Sequence, residues 1–305
     1  MKQKDERTNK VSALMGPMRL PFLMLDPACV LLGLGTALWS GSPFNLFYLI
    51  FTLIGAISAH ISVNALNEYF DYKSGLDLHT TRTPFSGGSG TLPARPDQAR
   101  TTLLTGLVSA LITVVVGIYF LTIRGVGILP IGLLGLVVIF TYTSFLNRQP
   151  IVCLIAPGLG FGTLMVLGTH YALSGTYSLT AILASFIPFF LVSDLLLLNQ
   201  FPDVIPDRDV GRRHLPIVYG RKTSSIVFGL FLLLAYITII LGVISGLFPL
   251  PALLGLITLV IAIPVSIGVY KNAEAEIQDL FPFMGMNVMI NVFTPALTAL
   301  GFLIR

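Results

Sequence analysis

The stretch NALNEYFDYKSGLD, residues 64–77, places three acidic residues and two amides at the end of an apolar run that begins near residue 45. A second stretch, NQFPDVIPDRD, residues 199–209, follows another apolar run in the same way. Carboxylates in or beside membrane spans are costly to desolvate and usually have a function. These two stretches are therefore the first candidates for a functional site.

Lipid is the solvent that the composition indicates. The 305 residues are 54% hydrophobic and 10% charged, whereas an ordinary soluble domain has about 25% charged residues. This composition excludes a disordered chain, a collagen-like fibre and a nucleic-acid-binding domain. Cys29 and Cys153 both lie in apolar surroundings, so we expect neither a disulfide framework nor a metal-binding cysteine cluster.

Nine apolar stretches approach the length of about 20 residues that a membrane-spanning helix needs. We predict an all-α integral membrane protein, one domain over residues 1–305, with nine helices around a central cavity. The polar segments 72–98 and 202–223 are expected to cap that cavity. The predicted spans are residues 20–40, 45–69, 99–123, 126–146, 151–171, 179–201, 224–246, 250–270 and 281–303.

The basic residues set the expected orientation. Cytoplasmic loops of membrane proteins carry an excess of Lys and Arg. With a cytoplasmic N-terminus and nine spans, all of the 18 basic residues except Arg124 and Arg305 fall on the cytoplasmic side, and the C-terminus lies outside. We therefore predict a multi-pass protein of the cytoplasmic membrane whose site faces the cytoplasm. The charged stretch MKQKDERTNK is not expected to be a cleaved signal peptide.

The two acidic stretches share a spacing. Residues 67–77 and 199–209 both read Asn-x3-Asp-x5-Asp, 132 positions apart. Four predicted spans separate the two stretches, so both emerge on the same side of the membrane. This match indicates a parallel internal repeat whose two half-sites face one cavity.

The local geometry differs between the two stretches. In the first, Asn64, Asn67 and Asp71 form one helical stripe. Gly75 is expected to end that helix, so that Asp77 turns back toward Asp71. In the second, two prolines, at 202 and 206, argue against a regular helix.

Clusters of carboxylate and amide oxygens suit hard cations. Mg²⁺ is typically held by one or two carboxylates together with substrate phosphates. Two facing clusters would hold metal ions around a diphosphate, and nearby cations fit an anionic substrate. The Gly-rich segment 83–93 lacks the Gly-Lys-Ser/Thr ending of a P-loop, and we interpret it as a flexible cap. The nearby cations are Lys73, Arg82, Arg208, Arg212, Arg213 and Lys222.

The paired motifs, NxxNEYFDYKSGxD and NQFPDxxxDxxxGRRHLPxxxG, resemble those of the UbiA superfamily of intramembrane prenyltransferases. They are most similar to the MenA-like branch, which prenylates 1,4-dihydroxy-2-naphthoate. The resemblance covers nearly the whole chain. It implies Mg²⁺-dependent transfer of an isoprenyl group from its diphosphate, with two ions bound through the diphosphate. It also implies a cavity that opens sideways into lipid to admit the prenyl tail.

The resemblance also implies roles for individual residues, of which Asp71, Asp203 and Asp207 would be catalytic. The metal-binding set is Asn67, Asp71, Asp77, Asn199, Asp203 and Asp207. The diphosphate-binding set is Lys73, Arg82, Arg148 and Arg212. The candidates for the acceptor or prenyl pocket are Asn64, Tyr142 and Asp194.

Three residues depart from the family pattern, and the last two of them leave the acceptor open. Glu68 stands where Asp is usual, Pro202 where the MenA-like branch often has Arg, and His214 where Thr is common. A naphthoate is the first choice. The alternatives are 4-hydroxybenzoate or another phenolic ring, a glycerol-phosphate lipid, a phenazine and a tetrapyrrole.

Two other classes of function are weaker. A secondary transporter would place its carboxylates near the midplane of the membrane, whereas these cluster at one face. A scaffold protein would not need two metal-spaced clusters. The expected partners are an isoprenyl diphosphate, an aromatic acceptor and the lipid bilayer. The sequence indicates no nucleic acid and identifies no protein partner.

The remaining polar residues inside spans have structural interpretations. Asp26 follows Arg19 by seven positions, so the two share a helix face and we predict a structural pair. His60 and His170 are interpreted as packing residues near the ends of spans.

Overall fold

The computed structural model of the chain describes residues 15–304, and every regular element within them is helical. Eight of these helices are long and apolar enough to cross a membrane, and a shorter one lies between the third and fourth of them. The bounds are α1 (Leu20–Trp39), α2 (Leu46–Lys73), α3 (Pro96–Arg124), α4 (Val126–Thr141), α5 (Pro150–Ser174), α6 (Leu179–Asn199), α7 (Leu215–Ile244), α8 (Leu250–Lys271) and α9 (Ile277–Leu303). The terminal basic residues used for the predicted orientation, Lys2, Lys4, Arg7, Lys10 and Arg305, lie outside the described residues.

Large apolar side chains cover the outside of the bundle. Leu111, Ile244 and Val260 are 61%, 77% and 78% exposed. Soluble monomers rarely expose contiguous apolar patches of more than a few hundred Å². The surface is therefore solvated by lipid, and the chain is a multi-pass membrane protein.

The fourth predicted span is shorter than expected. Residues 126–146 were predicted as one span, but α4 ends at Thr141. The chain then turns into the bundle, because Asn147 is buried and its side-chain amide donates to the Thr143 carbonyl at 2.7 Å. The Asn147 carbonyl in turn accepts from the backbone N–H of Arg213 at 3.1 Å. These contacts end α4 before its apolar run is complete.

Two other boundaries differ from the hydropathy prediction. The α2 helix runs to Lys73 rather than 69, so Asp71 lies on its last turn. The α7 helix begins at Leu215 rather than 224, because a helical turn precedes a break at Gly220, where φ is 82°. Basic residues beside this break lower the local hydropathy, so hydropathy alone places the start of the span after this turn.

The two polar segments contain short helices. Leu76–His79 and Thr91–Ala94 lie between α2 and α3, and Val204–Asp209 lies between α6 and α7. The expectation that the second motif is not a regular helix is confirmed for residues 200–203, which lie between the two helices, and is wrong for Val204–Asp209. Pro206 is tolerated there because it falls in the first turn of the helix, where its missing N–H would have no partner.

Glycines bring the helices into close contact. A Cβ on Gly33 of α1 would lie 2.6 Å from Cβ of Thr169 in α5, and one on Gly162 of α5 would lie 2.3 Å from the backbone nitrogen of Phe189 in α6. Lipid gives helices no hydrophobic reason to associate, so close backbone packing of this kind supplies much of the attraction. It fixes α1, α5 and α6 around the space that α2 and α4 close.

The α5 helix contains a π-helical segment, Leu159–Leu164, which begins two residues after Pro157. Proline removes a backbone donor, and π-segments are frequent at functional sites. Phe161 lies in this segment and its ring packs edge-on against His60 of α2, with centroids 4.5 Å apart. The irregular turn therefore shapes the inner wall of the bundle.

Candidate active site

A cavity of about 370 Å³ lies inside the bundle, and α1 to α6 line it. Most of the lining is apolar. Four carboxylates enter it where α2 and α6 end and the short helices begin, and they are Asp71, Asp77, Asp203 and Asp207. An apolar chamber with an acidic end suits a ligand that has a hydrocarbon part and a charged head.

The first motif forms the predicted stripe on α2. Asn64, Asn67 and Asp71 all line the cavity. The Asn67 amide donates to Thr143 Oγ1 at 3.1 Å, and the Asn64 amide donates to the Met18 carbonyl at 3.2 Å. The stripe therefore connects α2 to the end of α4 and to the segment before α1.

Arg212 joins the two motifs. Its guanidinium donates to Asp207 Oδ1 at 2.9 Å through Nη1 and to Asp71 Oδ1 through Nη2. His214 Nε2 lies 2.9 Å from the other oxygen of Asp207. Burial opposes a charge here, but Asp71 and Asp207 together raise the pKa of Arg212 above its usual value. Arg212 therefore stays a cation between carboxylates that would otherwise repel each other.

Two further carboxylates are poised to bind a cation. Gly75, with φ of 82°, turns the chain after α2 as predicted, and Asp77 lines the cavity with Asp71. Burial, with Asp71 and Glu68 nearby, raises the pKa of Asp77 to about 7. Burial and the neighbouring Asp207 raise the pKa of Asp203 to about 7 as well. The carboxylates at this end of the cavity are in excess, and a bound cation would balance their charge.

Two oxygens in the cavity also lack partners. Asp77 Oδ2 and Asn199 Oδ1 are buried and accept no hydrogen bond from the residues described. Such orphaned oxygens fit a hard cation. Within residues 15–304, no three His, Cys, Asp or Glu side chains form a complete metal-binding group. The donor set therefore suits Mg²⁺ that shares its coordination with a bound phosphate, rather than an all-protein metal cage.

The Gly-rich segment 83–93 is attached to both motifs. Glu68 is buried on α2 and accepts from Ser89, from its N–H at 2.9 Å and from its hydroxyl. Ser86 Oγ donates to Asp203 Oδ1 at 3.3 Å. The acidic residue that departs from the family pattern is thus the anchor of the cap. In the sequence, the only indication of a special role for Glu68 was its departure from the family pattern.

Several predicted site residues lie elsewhere, which corrects their predicted placement. Lys73, Arg82 and Arg148 are exposed, and among the described residues none of them lines the cavity. The Lys73 ammonium instead lies 5.8 Å from the ring centroid of Tyr69, and Arg82 packs against Gly90. These cations occupy helix ends and loops, where their heads reach water or lipid headgroups.

Two aspartates also lie outside the cavity lining in the described part of the chain. Asp194 is fully buried in α6, and neither of its carboxylate oxygens has a partner there. Asp209, the third member of the sequence repeat, is exposed. Asp207 takes the inner position, because Asp209 follows it by two residues, about half a turn of the short helix Val204–Asp209, and so lies on the opposite face. The repeat in spacing is therefore not a repeat in position.

Arg19 is a cavity residue that sequence reasoning missed. It is the one non-glycine residue with a positive φ, 50°, among residues 15–304. It lines the cavity, and its Nε is buried without a hydrogen-bond partner in the described chain. Strained backbone of this kind clusters at functional sites. Its sequence position, before the first span, indicated only topology and a structural pair with Asp26. Tyr142, which was predicted, also lines the cavity.

Known proteins resemble the chain in sequence. Residues 28–290 match the model of the UbiA prenyltransferase family, which confirms the resemblance drawn from the motifs. The chain is 26% identical over 260 residues to the 1,4-dihydroxy-2-naphthoate octaprenyltransferase of Bacillus subtilis (strain 168), covering 83% of this chain and 80% of that protein. It is 26% identical over 230 residues to the protein of the same name from Escherichia coli (strain K12), covering 72% of each.

Solved structures share the fold. The apo structure of a UbiA homolog from Aeropyrum pernix K1 has a TM-score of 0.69 at 18% identity, covering 92% of this chain and 97% of that one. A UbiA homolog from Archaeoglobus fulgidus, bound to GPP and Mg²⁺, has a TM-score of 0.58 at 13% identity, covering 94% and 99%. With acidic motifs joined at one end of an apolar cavity and a family match over most of its length, the chain belongs to the UbiA prenyltransferase family.

Proposed function

We propose that this enzyme transfers an isoprenyl group from its diphosphate to an aromatic acceptor, with 1,4-dihydroxy-2-naphthoate as the first choice. The observation that carries the proposal is the meeting of the two acidic motifs at one end of an apolar cavity, with Arg212 between them. The naphthoate acceptor is supported by the names of the Bacillus and Escherichia relatives.

Two groups of oxygen ligands would hold two Mg²⁺ ions. Bound Mg²⁺ would neutralise the charge that builds on the leaving diphosphate. The orphaned oxygens of Asp77 and Asn199 support this assignment, as does the Mg²⁺ bound to the Archaeoglobus homolog. One group comprises Asn67, Asp71 and Asp77, and the other comprises Asn199, Asp203 and Asp207.

Cations inside the cavity bind the diphosphate in this proposal. Arg19 and Arg212 both line the cavity, and the charge of each acts on Asp77 at the acidic end. Arginine forms bidentate contacts with phosphate oxygens. When Arg212 turns to the diphosphate, it releases Asp71 and Asp207 for metal binding. Lys73, Arg82 and Arg148 keep a secondary role as exposed cations that attract the anion toward the opening.

The apolar part of the cavity holds the prenyl tail and excludes water. The C–O bond of the donor breaks, its electron pair leaves with the diphosphate, and an allylic cation remains. A ring carbon of the acceptor attacks this cation, and the ring then loses a proton or, for a naphthoate, CO₂. Burial raises the pKa of Tyr142 well above its usual 10.0, so its phenol stays neutral and offers a π-face to the cation. Asn64 borders the same space.

We also propose that α4 makes the ninth pass through the membrane. Near its start, the Gly127 carbonyl accepts from the Tyr177 hydroxyl at 2.7 Å, at the end of the bundle where α5 finishes. Just after its end, Thr143 contacts Asn67 at the acidic end. These contacts support a helix that runs from one end of the bundle to the other. Nine passes with the basic loops inside put the site at the cytoplasmic face of the cell membrane.

The test is a prenyl-transfer assay with the purified protein in detergent or nanodiscs. It uses radiolabelled geranyl diphosphate, with and without Mg²⁺, against naphthoate, 4-hydroxybenzoate and glycerol-phosphate acceptors. We expect Mg²⁺-dependent product with the naphthoate, silencing by EDTA and recovery on adding Mg²⁺. Product with another acceptor alone would refute the naphthoate assignment, and failure to bind the diphosphate would refute the enzymatic proposal.

A further inference from the structure

A buried hydrogen-bonded pair lies in the middle of the bundle, away from the acidic end. Asp26 of α1 and His60 of α2 are 0% and 5% exposed, and His60 Nδ1 lies 3.1 Å from both carboxylate oxygens. The predicted partner of Asp26 was Arg19, so that prediction was wrong. Seven positions along one helix put two residues on the same face, but Arg19 stands in a left-handed backbone conformation and lines the cavity instead.

The pair faces a ligand space rather than solid packing. His60 lines the cavity, whereas Asp26 lies behind it. The Asp26 carboxylate accepts a hydrogen bond from the Nδ1–H of His60, which fixes the tautomer and leaves Nε2 with a free lone pair. Nε2 has no hydrogen-bond partner in residues 15–304. An orienting carboxylate and a free acceptor nitrogen are what a group needs to receive a hydrogen bond from a ligand.

The position on α2 indicates which ligand His60 meets. His60 lies on the stripe of Asn64, Asn67 and Asp71, at spacings of four, seven and eleven residues, and all four line the cavity. At 1.5 Å per residue, His60 is about 16 Å along the helix from Asp71. A diphosphate and an aromatic ring laid end to end cover most of that distance.

The chemistry of the substrates narrows the choice. The prenyl tail has no hydrogen-bond donor, and the ionised diphosphate is held at the other end of the stripe. A ring hydroxyl is a donor, and it is carried by the phenolic and naphthoate acceptors. We propose that His60, oriented by Asp26, accepts a hydrogen bond from a hydroxyl group of the aromatic acceptor, an inference that rests on the proposed function. Asp26 is then a positioning residue, and His60 selects hydroxylated acceptors.

A second buried histidine provides a matched control. His170 of α5 is held by Thr36 of α1, whose Oγ1 lies 3.0 Å from its Nδ1. Both histidines bridge α1 to a neighbouring helix through one ring nitrogen. His170 Nε2 is buried without a partner in the described residues, and His170 does not line the cavity there. A merely structural role would make both positions behave alike.

The experiment compares His60→Phe, His60→Gln and His170→Phe with the wild-type full chain in detergent. Two acceptor-site probes are used, 1,4-dihydroxy-2-naphthoate and its O-methyl ethers, which cannot donate from the methylated oxygen. For His60→Phe we expect the acceptor KM to rise about tenfold, as for a lost hydrogen bond, and the preference for hydroxyl over ether to disappear. The KM for geranyl diphosphate, and its Mg²⁺-dependent binding without acceptor, should stay unchanged. His170→Phe should keep the preference.

The outcomes separate this inference from the proposed function. If His60→Phe keeps both the acceptor KM and the preference for hydroxyl, the inference is overturned while the transfer reaction stands. If the wild type binds geranyl diphosphate with Mg²⁺ but accepts no hydroxylated aromatic ring, the acceptor class itself is wrong. If His60→Phe does not fold, His60→Gln carries the test. Its amide oxygen should retain part of the preference, and complete retention of both KM and preference in Asp26→Ala would count against the orienting carboxylate.

Discussion

Replacing Arg212 with alanine should destabilise the metal-free protein. Arg212 is the counter-ion of both Asp71 and Asp207, and the three side chains are 17%, 10% and 5% exposed. Removing one partner of a buried ion pair typically costs about 3–5 kcal/mol. Since Arg212 is partly exposed, we take the lower figure of about 3 kcal/mol. At about 2–4 °C per kcal/mol, this corresponds to a fall in Tm of roughly 6–12 °C.

The assay is thermal unfolding of the purified variant in detergent, in EDTA and in Mg²⁺. Cations that bind the freed carboxylates replace the lost charge, so Mg²⁺ should raise the Tm of Arg212→Ala more than that of the wild type. Arg208→Ala is the matched control, because Arg208 is exposed on the neighbouring short helix. A Tm for Arg212→Ala within about 2 °C of the wild type in EDTA would show that the carboxylates do not depend on this guanidinium.

Three further outcomes are expected. Asp71→Asn and Asp203→Asn should abolish Mg²⁺-dependent transfer without unfolding the protein, and activity retained in a well-folded variant, measured by the geranyl diphosphate assay, would refute the metal assignment. Folding raises the pKa of Asp77 and of Asp203 from 3.8 to about 7, so their stabilising contribution is complete below about pH 4 and is lost as pH rises through about 7. Tm in EDTA should therefore fall from about pH 5 to about pH 8 while the stabilisation by Mg²⁺ grows, and a flat profile would contradict this. Gly132 lines the cavity, and a Cβ added there would have no neighbouring atom within 4 Å. Gly132→Leu should therefore slow transfer from long prenyl donors more than transfer from geranyl diphosphate. The control is Leu133→Phe: Leu133 is 59% exposed on the outer face, so this variant should transfer from every donor as the wild type does.

Helical periodicity carried the sequence prediction furthest. The stripe of Asn64, Asn67 and Asp71 was predictable because residues three or four apart share a face whatever else the chain does. The turn at Gly75 was predictable for a similar reason, because a local turn depends only on neighbouring residues. Hydropathy likewise located the long helices, because a helix that crosses the lipid must be apolar over about 20 residues.

Contacts between segments that are far apart in the sequence could not be predicted in this way. Asp26 and His60 are 34 positions apart on different helices, and spacing within one helix says nothing about which neighbour it meets. The same limit applies to Arg212, whose partner Asp71 is 141 positions away. Charge counting placed Lys73 and Arg82 near the site in sequence, but whether a cation turns inward depends on the loop backbone.

The short α4 helix has a consequence for the surrounding lipid. Its 3-residue 3-10 turn and 13-residue α-helix span about 25 Å, at about 2.0 and 1.5 Å per residue, against a hydrocarbon layer of about 30 Å. A bilayer adapts to a short segment by thinning beside it. Since α4 forms one wall of the cavity, the membrane should be thinnest beside that wall, and a lipid-dissolved donor that approaches there would meet a thinned bilayer. Its diphosphate would then already lie near the depth of the acidic end while its tail remained among the acyl chains.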